Sequence, residues 1–500
     1  MHFLRLRSPQ RADYACAALI FVVAGTIAAT FLRDVGITFF YQILMSATAM
    51  AECGRGFAQP AIIPPSLFDF LTLKSTVFDC NQLADVAELG TAGPFANTHL
   101  HLAAAVAYLW RLLGVNYQSL LPLLAALHGT YATACFLFGR LFFGRIIAVL
   151  IGLLVALSPI AISMLFLLRD FSKAPFVILA VVMLIWGVRQ SKPRNVLLSS
   201  LATGFIIAIG VGFRRDVMIL IPVAVIIFAF GVNKGIAAST RAAAVTLLMI
   251  ATLATPRVWT TDYIIKGAGF VYLAEATEPF RNHLGLKPAA YNLGWFYDEL
   301  ILSSIAADLR RANPAAYDAG ESKPLQGVTQ ALSRSSTYLL QWLPLFGADV
   351  ATRALKSALL IAGFPSMLAA DRRATDPSPV FYPQATPVAR TTAKFISFIE
   401  GRWISVVGIL GLVAFLFRIY SRAPREAASV AAILMVLLTY PSTQFSLRHF
   451  FSSGGVFLDR PCFAGHDPFR FSEASGLRIR FFSMAHRLPD LWSRAGYDSG

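Results

Sequence analysis

The chain has 500 residues, of which 56% are hydrophobic and only 14% charged, with a formal net charge of +16. Soluble domains carry roughly 25% charged residues, and a soluble fold has no interior large enough to hide this much apolar surface, so lipid must cover it. Disorder, a secreted disulfide scaffold and a cytosolic enzyme are excluded, and the excess of Lys and Arg is to be explained first by membrane orientation, not nucleic acid.

Apolar runs fall at 14–32, 118–138, 146–163, 174–188, 196–213, 216–231, 242–256, 403–417 and 427–441. At 1.5 Å per residue, about 17 residues span a ~30 Å hydrocarbon core. The sequence therefore predicts an all-α polytopic membrane protein of about nine transmembrane helices (range about 8–11), with interfacial helices and two large extracytoplasmic loops. The first run follows Arg5, Arg7 and Arg11 and is too long for a signal-peptide core, which makes it a retained helix. No repeat of fixed period is present.

With the N-terminus inside, the cytoplasmic segments are 1–13, 139–145, 189–195, 232–241 and 418–426. These 46 residues hold 13 Lys and Arg and two acids, Asp13 and Glu426, whereas the 85 residues of 33–117 hold four Lys and Arg. Positive charge concentrates in cytoplasmic loops, so the asymmetry orients the chain. A bacterial inner membrane is the expected setting. The organisation read from this is a membrane module at 1–256 with its first outer loop at 33–117, a large outer segment at 257–402, a helix pair at 403–449 and a polar, Arg-rich tail at 450–500. Both outer segments are long enough to be functional. Segments 36–50, 99–113 and 290–311 read as interfacial helices. Segment 336–368 is partly amphipathic, and its run Ala358 to Phe364 allows an extra crossing that would invert all that follows. Cys53 and Cys80 share the first outer loop, where they are either bridged or two independent thiols; Cys16 and Cys135 lie in spans.

Charges at membrane depth are costly and tend to mark function or pairing. Arg33-Asp34 follows span 1, Arg169-Asp170 with Lys173 follows span 3, and Arg214-Arg215-Asp216 fills the very short connection between spans 5 and 6, all on the outer side. Each admits a plain reading, an ion pair that fixes a helix end or an Arg snorkelling to head groups. Each also admits a chemical one. A carboxylate at the bilayer surface suits a general base acting on an acceptor hydroxyl, two converging carboxylates suit a base plus a divalent-cation or positioning ligand, and guanidinium forks suit phosphate. Arg448-His449 follows span 9 on the same side. His99 and His101, two apart on a helix, do not share a face as a metal pair would need. There is no Walker A loop, no GxGxxG opening a helix and no nucleophile elbow.

The order of these features resembles the membrane-embedded GT-C superfamily of glycosyltransferases, related to the mannosyl and arabinosyl transferase families, over roughly 12–260 with a weaker echo at 403–452. Asp34-Val-Gly-Ile-Thr-Phe-Phe-Tyr41 and the later Gly54-Arg-Gly56-Phe57 are similar to that family's acidic first-loop start and Gly-rich close. His101 to Gly114 resembles its helix before the second span. Gly139-Arg140 to Gly144-Arg145, Ala156-Leu157-Ser158-Pro159 ahead of Arg169-Asp170, and Gly204 to Pro222 around Arg214-Arg215-Asp216 resemble its inner turn, second acidic loop and Gly-rich helix.

The resemblance implies Asp34 as catalytic base, Asp170 as a second acidic site residue, Arg214 and Arg215 near a carrier phosphate and Arg448 near the donor. The implied reaction is an inverting transfer of a sugar from a polyprenyl-(pyro)phosphate-linked donor to a glycan, lipid or protein acceptor at the outer face. The chain departs from the family where Arg33, not an acid, neighbours Asp34, which leaves Asp79, Asp85 or Glu88 as alternative bases. It departs also where Asn97-Thr98-His99 replaces a Pro-rich entry, and where the Arg-rich tail replaces further spans. A divalent cation is compatible with this chemistry, with metal dependence open and no ligand set assigned. A transporter or flippase for a lipid-linked glycan, or a non-catalytic scaffold of an envelope glycan system, is the alternative reading. A transporter calls for charges near the bilayer midplane, and the spans are almost free of them.

Overall fold

The structure is a computed structural model that describes residues 11–35, 45–60, 63–71, 75–83, 89–91, 99–158, 161–162, 165, 168–254, 348, 351–352, 354–355 and 403–439, apart from the side chains of residues 31, 33–35, 91, 403–409 and 439. Outside these lie Asp85, Glu88, Arg448, the predicted interfacial helix 290–311, the run 358–364, most of the segment 257–402 and the tail 450–500.

Helices occupy all nine apolar runs: α1 (Arg11–Val35), α5 (Leu121–Phe142), α6 (Arg145–Ala156), α8 (Ala174–Val188), α9 (Pro193–Phe213), α10 (Leu220–Ile226), α11 (Ala238–Leu253), α12 (Trp403–Tyr420) and α13 (Pro424–Thr439). Among the described residues, Arg11–Thr30, Gln118–Phe142, Leu168–Val188 and Pro193–Phe213 are long and apolar enough to cross a membrane, and shorter apolar helices accompany them. The protein is thus a helical membrane protein. Side chains such as Leu19, Ile146, Leu150, Ile250 and Phe417 stand exposed on the outside of the bundle, where only lipid would cover them. Proline opens α5, α8 and α9 in the first turn, where its missing N–H leaves no intrahelical bond unmade.

Two of the runs depart from a plain span. In the run 146–163 the first helix ends at Ala156, and helical geometry returns at residues 161–162. Pro159 disfavours helical geometry at Ser158, and Ser158 instead caps a new turn, its Oγ accepting from Ala161 N–H at 3.4 Å. The run 216–231 enters through a tight 3-10 turn (Arg215–Ile219), continues as α10 and finishes in a π-turn, Ile227–Gly231.

Packing follows chain order. α1 and α6 both lie on α5, α5 on α8, α8 on α9, α9 on α11, and the α12–α13 hairpin docks through α13 on α8 and α10. Small residues permit the closest approaches, as is usual between membrane helices. A β-carbon on Gly129 would stand 2.7 Å from the Phe21 carbonyl oxygen, and one on Gly204 would stand 2.6 Å from that of Leu248.

One end of the bundle collects most of the Lys and Arg found among the described residues. Asp13, buried in the first turn of α1, accepts from Arg145 Nε (2.8 Å) and Arg140 Nε (3.1 Å). Arg189 at the end of α8 bonds Glu426 at the start of α13 (2.6 Å), donates to the Leu141 carbonyl and lies 4.7 Å over the Phe142 ring. Helix starts and ends therefore alternate along the chain. The α12–α13 turn lies at the same end as Asp13, tied there through Arg189.

The first loop folds as a packed cap at the opposite end. It contains α2 (Ser46–Glu52), a two-stranded antiparallel ribbon of β1 (Ala58–Pro60) and β2 (Leu89–Thr91) with Ala58 opposite Thr91, α3 (Pro65–Leu71) and α4 (Leu100–Leu113). The predicted interfacial helix 36–50 is helical over Ser46–Glu52, and 99–113 is α4. Phe70 stacks on Tyr117 (4.4 Å between centroids) and meets Phe78 and Trp110. Cys53 and Cys80 form a disulfide, and Arg55 donates to the Leu83 carbonyl beside it at 2.7 Å.

Candidate functional site

Two short segments, 43 residues apart in the chain, meet at the capped end of the bundle. One is α7 (Leu168–Phe171) with the turn into α8; the other is the break between α9 and the 3-10 turn at Arg215. Phe171 anchors the first segment by packing between His128 and Tyr131 of α5. Gly210 anchors the second, because it lets Phe176 of α8 press against α9, and Phe213 packs tilted against the same ring at 4.8 Å. With both backbones fixed, four charged side chains converge.

Asp170 is fully buried and pairs with the Arg214 guanidinium. Arg214 Nε also donates to Asp216 Oδ2 at 2.6 Å, and Lys173 Nζ reaches that same oxygen at 2.6 Å. Lys173 is 1% exposed and Arg214 6%, so these are charge-assisted bonds largely withdrawn from water, the strong kind. Arg169, 7% exposed, belongs to the same short helix as Asp170, and Arg215 follows Arg214 directly. Two cations, Lys173 and Arg214, thus stand paired with two carboxylates at one end of the bundle, with Arg169 and Arg215 adjacent in the chain.

The cap reaches this cluster through α4. His101 Nδ1–H donates to the Ile209 carbonyl at 3.0 Å, and the imidazole fills the space a β-carbon on Gly212 would need. Gly212 lies two residues before Arg214, so a first-loop side chain roofs the segment that carries the guanidiniums. α4 is held in turn by α2, with Arg111 3.9 Å from Glu52, and by Trp110 Nε1–H donating to the Asn116 carbonyl at 3.0 Å. His99, at the other position of the His-x-His pair, sits at the start of α4, where its carbonyl accepts from Ala103 N–H.

Of the predicted site residues, the structure brings Asp170 and Arg214 into contact, and Arg215 follows Arg214 at the start of the 3-10 turn. Asp34 lies in the last turn of α1, its side chain outside the described ones. Asp79 takes a local part: its Oδ1 accepts from Asn81 N–H at 3.0 Å and shapes the turn carrying Cys80. Asp85, Glu88 and Arg448 lie outside the described residues. Lys173 and Asp216 had no assigned role in the sequence. The signal for them was present, since a Lys three residues after Asp170 and an Asp two after Arg214 are spaced to share neighbours, but the partnership spans 43 residues and is visible only once α8 and α9 are packed.

Among the described residues no three His, Cys, Asp or Glu side chains gather as a metal site. Asp170 and Asp216 are occupied by guanidinium and ammonium groups, so this cluster does not fit a divalent cation. No protein-family profile, curated protein or solved structure matches the chain.

Proposed function

We propose that the protein is a nine-span glycosyltransferase of the inner (plasma) membrane that moves a sugar from a polyprenyl-(pyro)phosphate-linked donor to an acceptor at the extracytoplasmic face, with inversion. The observation that supports this reading best is the convergence of Asp170, Lys173, Arg214 and Asp216 under His101 of the first-loop cap. Two buried cations, Lys173 and Arg214, held by Asp170 and Asp216 at the end of a membrane bundle, support a site at the level where a lipid phosphate would lie. Two independent features support its extracytoplasmic side. The opposite end carries the basic turns, which favour the cytoplasm, and the capped end carries the Cys53–Cys80 disulfide, which persists in oxidising compartments.

In this mechanism the acceptor hydroxyl attacks the anomeric carbon, Asp34 takes its proton, and the polyprenyl (pyro)phosphate departs with the electron pair of the glycosidic C–O bond. Arg214 and Arg215 stabilise the charge that grows on the leaving phosphate, and preorganised donors of this sort are worth several kcal/mol, on the order of 3 per donor. Asp170 is already bonded to Arg214, so it orients that guanidinium and leaves proton transfer to Asp34. Radiolabelled sugar transfer by purified protein from polyprenyl-linked donors, with and without EDTA, tests the reading. Wild type transfers, and Asp34→Asn, expressed and folded, loses at least about a hundredfold. Undiminished transfer by both Asp34→Asn and Asp170→Asn would remove the site assignment.

A further inference from the structure

At the end of the bundle away from the cluster, three helix turns come together, and several of their cations take no part in joining them. The α8–α9 turn and the start of α13 are joined by Arg189 and Glu426, and the α10–α11 turn reaches them where Gly231 approaches Ser429 of α13. The only acids among the described residues at this end are Asp13 and Glu426. Asp13 is taken by Arg140 and Arg145, and Glu426 by Arg189.

The turns are braced by groups other than their exposed cations. Asn195 donates to Gln190 at 2.9 Å, the Asn233 side chain accepts from Gly235 N–H at 3.0 Å, and Arg241 donates to the Asn233 and Lys234 carbonyls. Lys192, Arg194, Lys234 and Arg422 are left exposed on these same turns, with Arg425 half-buried between them, and none has an acidic partner among the described residues. Removing the two carboxylates from the surface by internal pairing leaves a patch of one sign on rigid turns, at the level where a bilayer's phosphates lie.

We propose that this three-turn patch binds anionic phospholipid head groups, which join the α12–α13 hairpin to the α8–α9 and α10–α11 turns. Lys or Arg near an anionic leaflet contributes about 1 kcal/mol each, so four exposed cations together are worth on the order of a hundredfold or more in lipid affinity. A lipid is favoured over a soluble anion because the turns cap membrane-crossing helices and the cations are spread over three of them. The proposal does not depend on the reaction assigned to the opposite end.

The test is lipid retention by the full-length protein purified in mixed phosphatidylglycerol and phosphatidylcholine with matched acyl chains, read by native mass spectrometry and by thermal unfolding. Wild type is expected to retain phosphatidylglycerol preferentially and to gain in Tm from it. The preference should fall as NaCl rises to about 0.5 M, where screening is short-ranged; this readout needs no variant. K192Q/R194Q/K234Q/R422Q should lower phosphatidylglycerol retention at least about tenfold and leave phosphatidylcholine retention unchanged. Equal retention of both lipids by wild type, equal phosphatidylglycerol retention by wild type and variant, or full stabilisation by inorganic phosphate alone would each overturn it.

Discussion

Asp216 Oδ2 accepts from both Lys173 and Arg214, so its two cationic partners differ in what their loss does. Asp216→Asn takes from a 1%-exposed ammonium its carboxylate partner, and breaking a buried pair in this way costs about 3–5 kcal/mol. Lys173→Met removes the buried charge itself and leaves Asp216 bonded to Arg214, so it should cost clearly less. The double variant Lys173→Met/Asp216→Asn is expected to be more stable than Asp216→Asn alone, measured by thermal unfolding in detergent; a double variant no better than Asp216→Asn would show that the ammonium is satisfied elsewhere. The sequence makes Arg169-Asp170 and Arg214-Arg215-Asp216 conspicuous because charge beside an apolar run is costly. Which of these residues bond one another is not legible there. Arg214, which the resemblance sets near a phosphate, has a guanidinium that meets two carboxylates, a pairing decided by the close approach of α8 and α9 at Gly210 and Phe176.

At the scale of elements, the runs translate into helices because apolar length alone demands it, and the departures come at particular residues. Pro159 ends α6 early, and Gly231 closes the π-turn that finishes α10. The first loop was legible as long and partly apolar, but its cap was not, since β1–β2 pairing and the Phe70–Tyr117 stack join residues far apart in the chain. The Cys53–Cys80 bridge stood as one of two alternatives for the same reason: spacing does not bring thiols together, and here α2 and the turn after α3 do. Replacing both cysteines by Ser removes a closed loop of 27 residues' separation, worth about 3.5 kcal/mol in the chain-entropy account, so proteolysis within the loop should quicken. Alkylation of both thiols in non-reduced wild-type protein would contradict the bridge. Tyr117 donates to the Phe70 carbonyl, and burial pushes its phenol well above the ordinary 10.0. The folded cap holds this proton more tightly than the unfolded chain does, so its stability is full below pH 10 and declines as pH rises beyond it. Tyr117→Phe should flatten that alkaline loss of Tm; an unchanged slope would assign the loss to other groups.

Over the whole molecule, the charges of the described residues divide between two ends that serve different purposes. At one, the charge asymmetry already visible in the sequence becomes the Asp13 and Glu426 ion pairs and an exposed basic patch, and the ends of the described helices alternate as the loops led one to expect. At the other, the ionic sum matters less than the few members gathered at Asp170 and Arg214 beneath the disulfide-held cap. The central claim is that this capped end breaks a sugar–phosphate bond. A flippase would instead carry the lipid-linked sugar across the bilayer intact, and a scaffold would do neither. The most direct measurement is the fate of a doubly labelled polyprenyl-linked sugar in proteoliposomes of the purified protein with acceptor present. The account predicts release of polyprenyl (pyro)phosphate together with sugar newly bonded to the acceptor, both lost in Asp34→Asn. Donor that crosses the membrane with both labels still joined, or that remains unchanged on its original side, would contradict it.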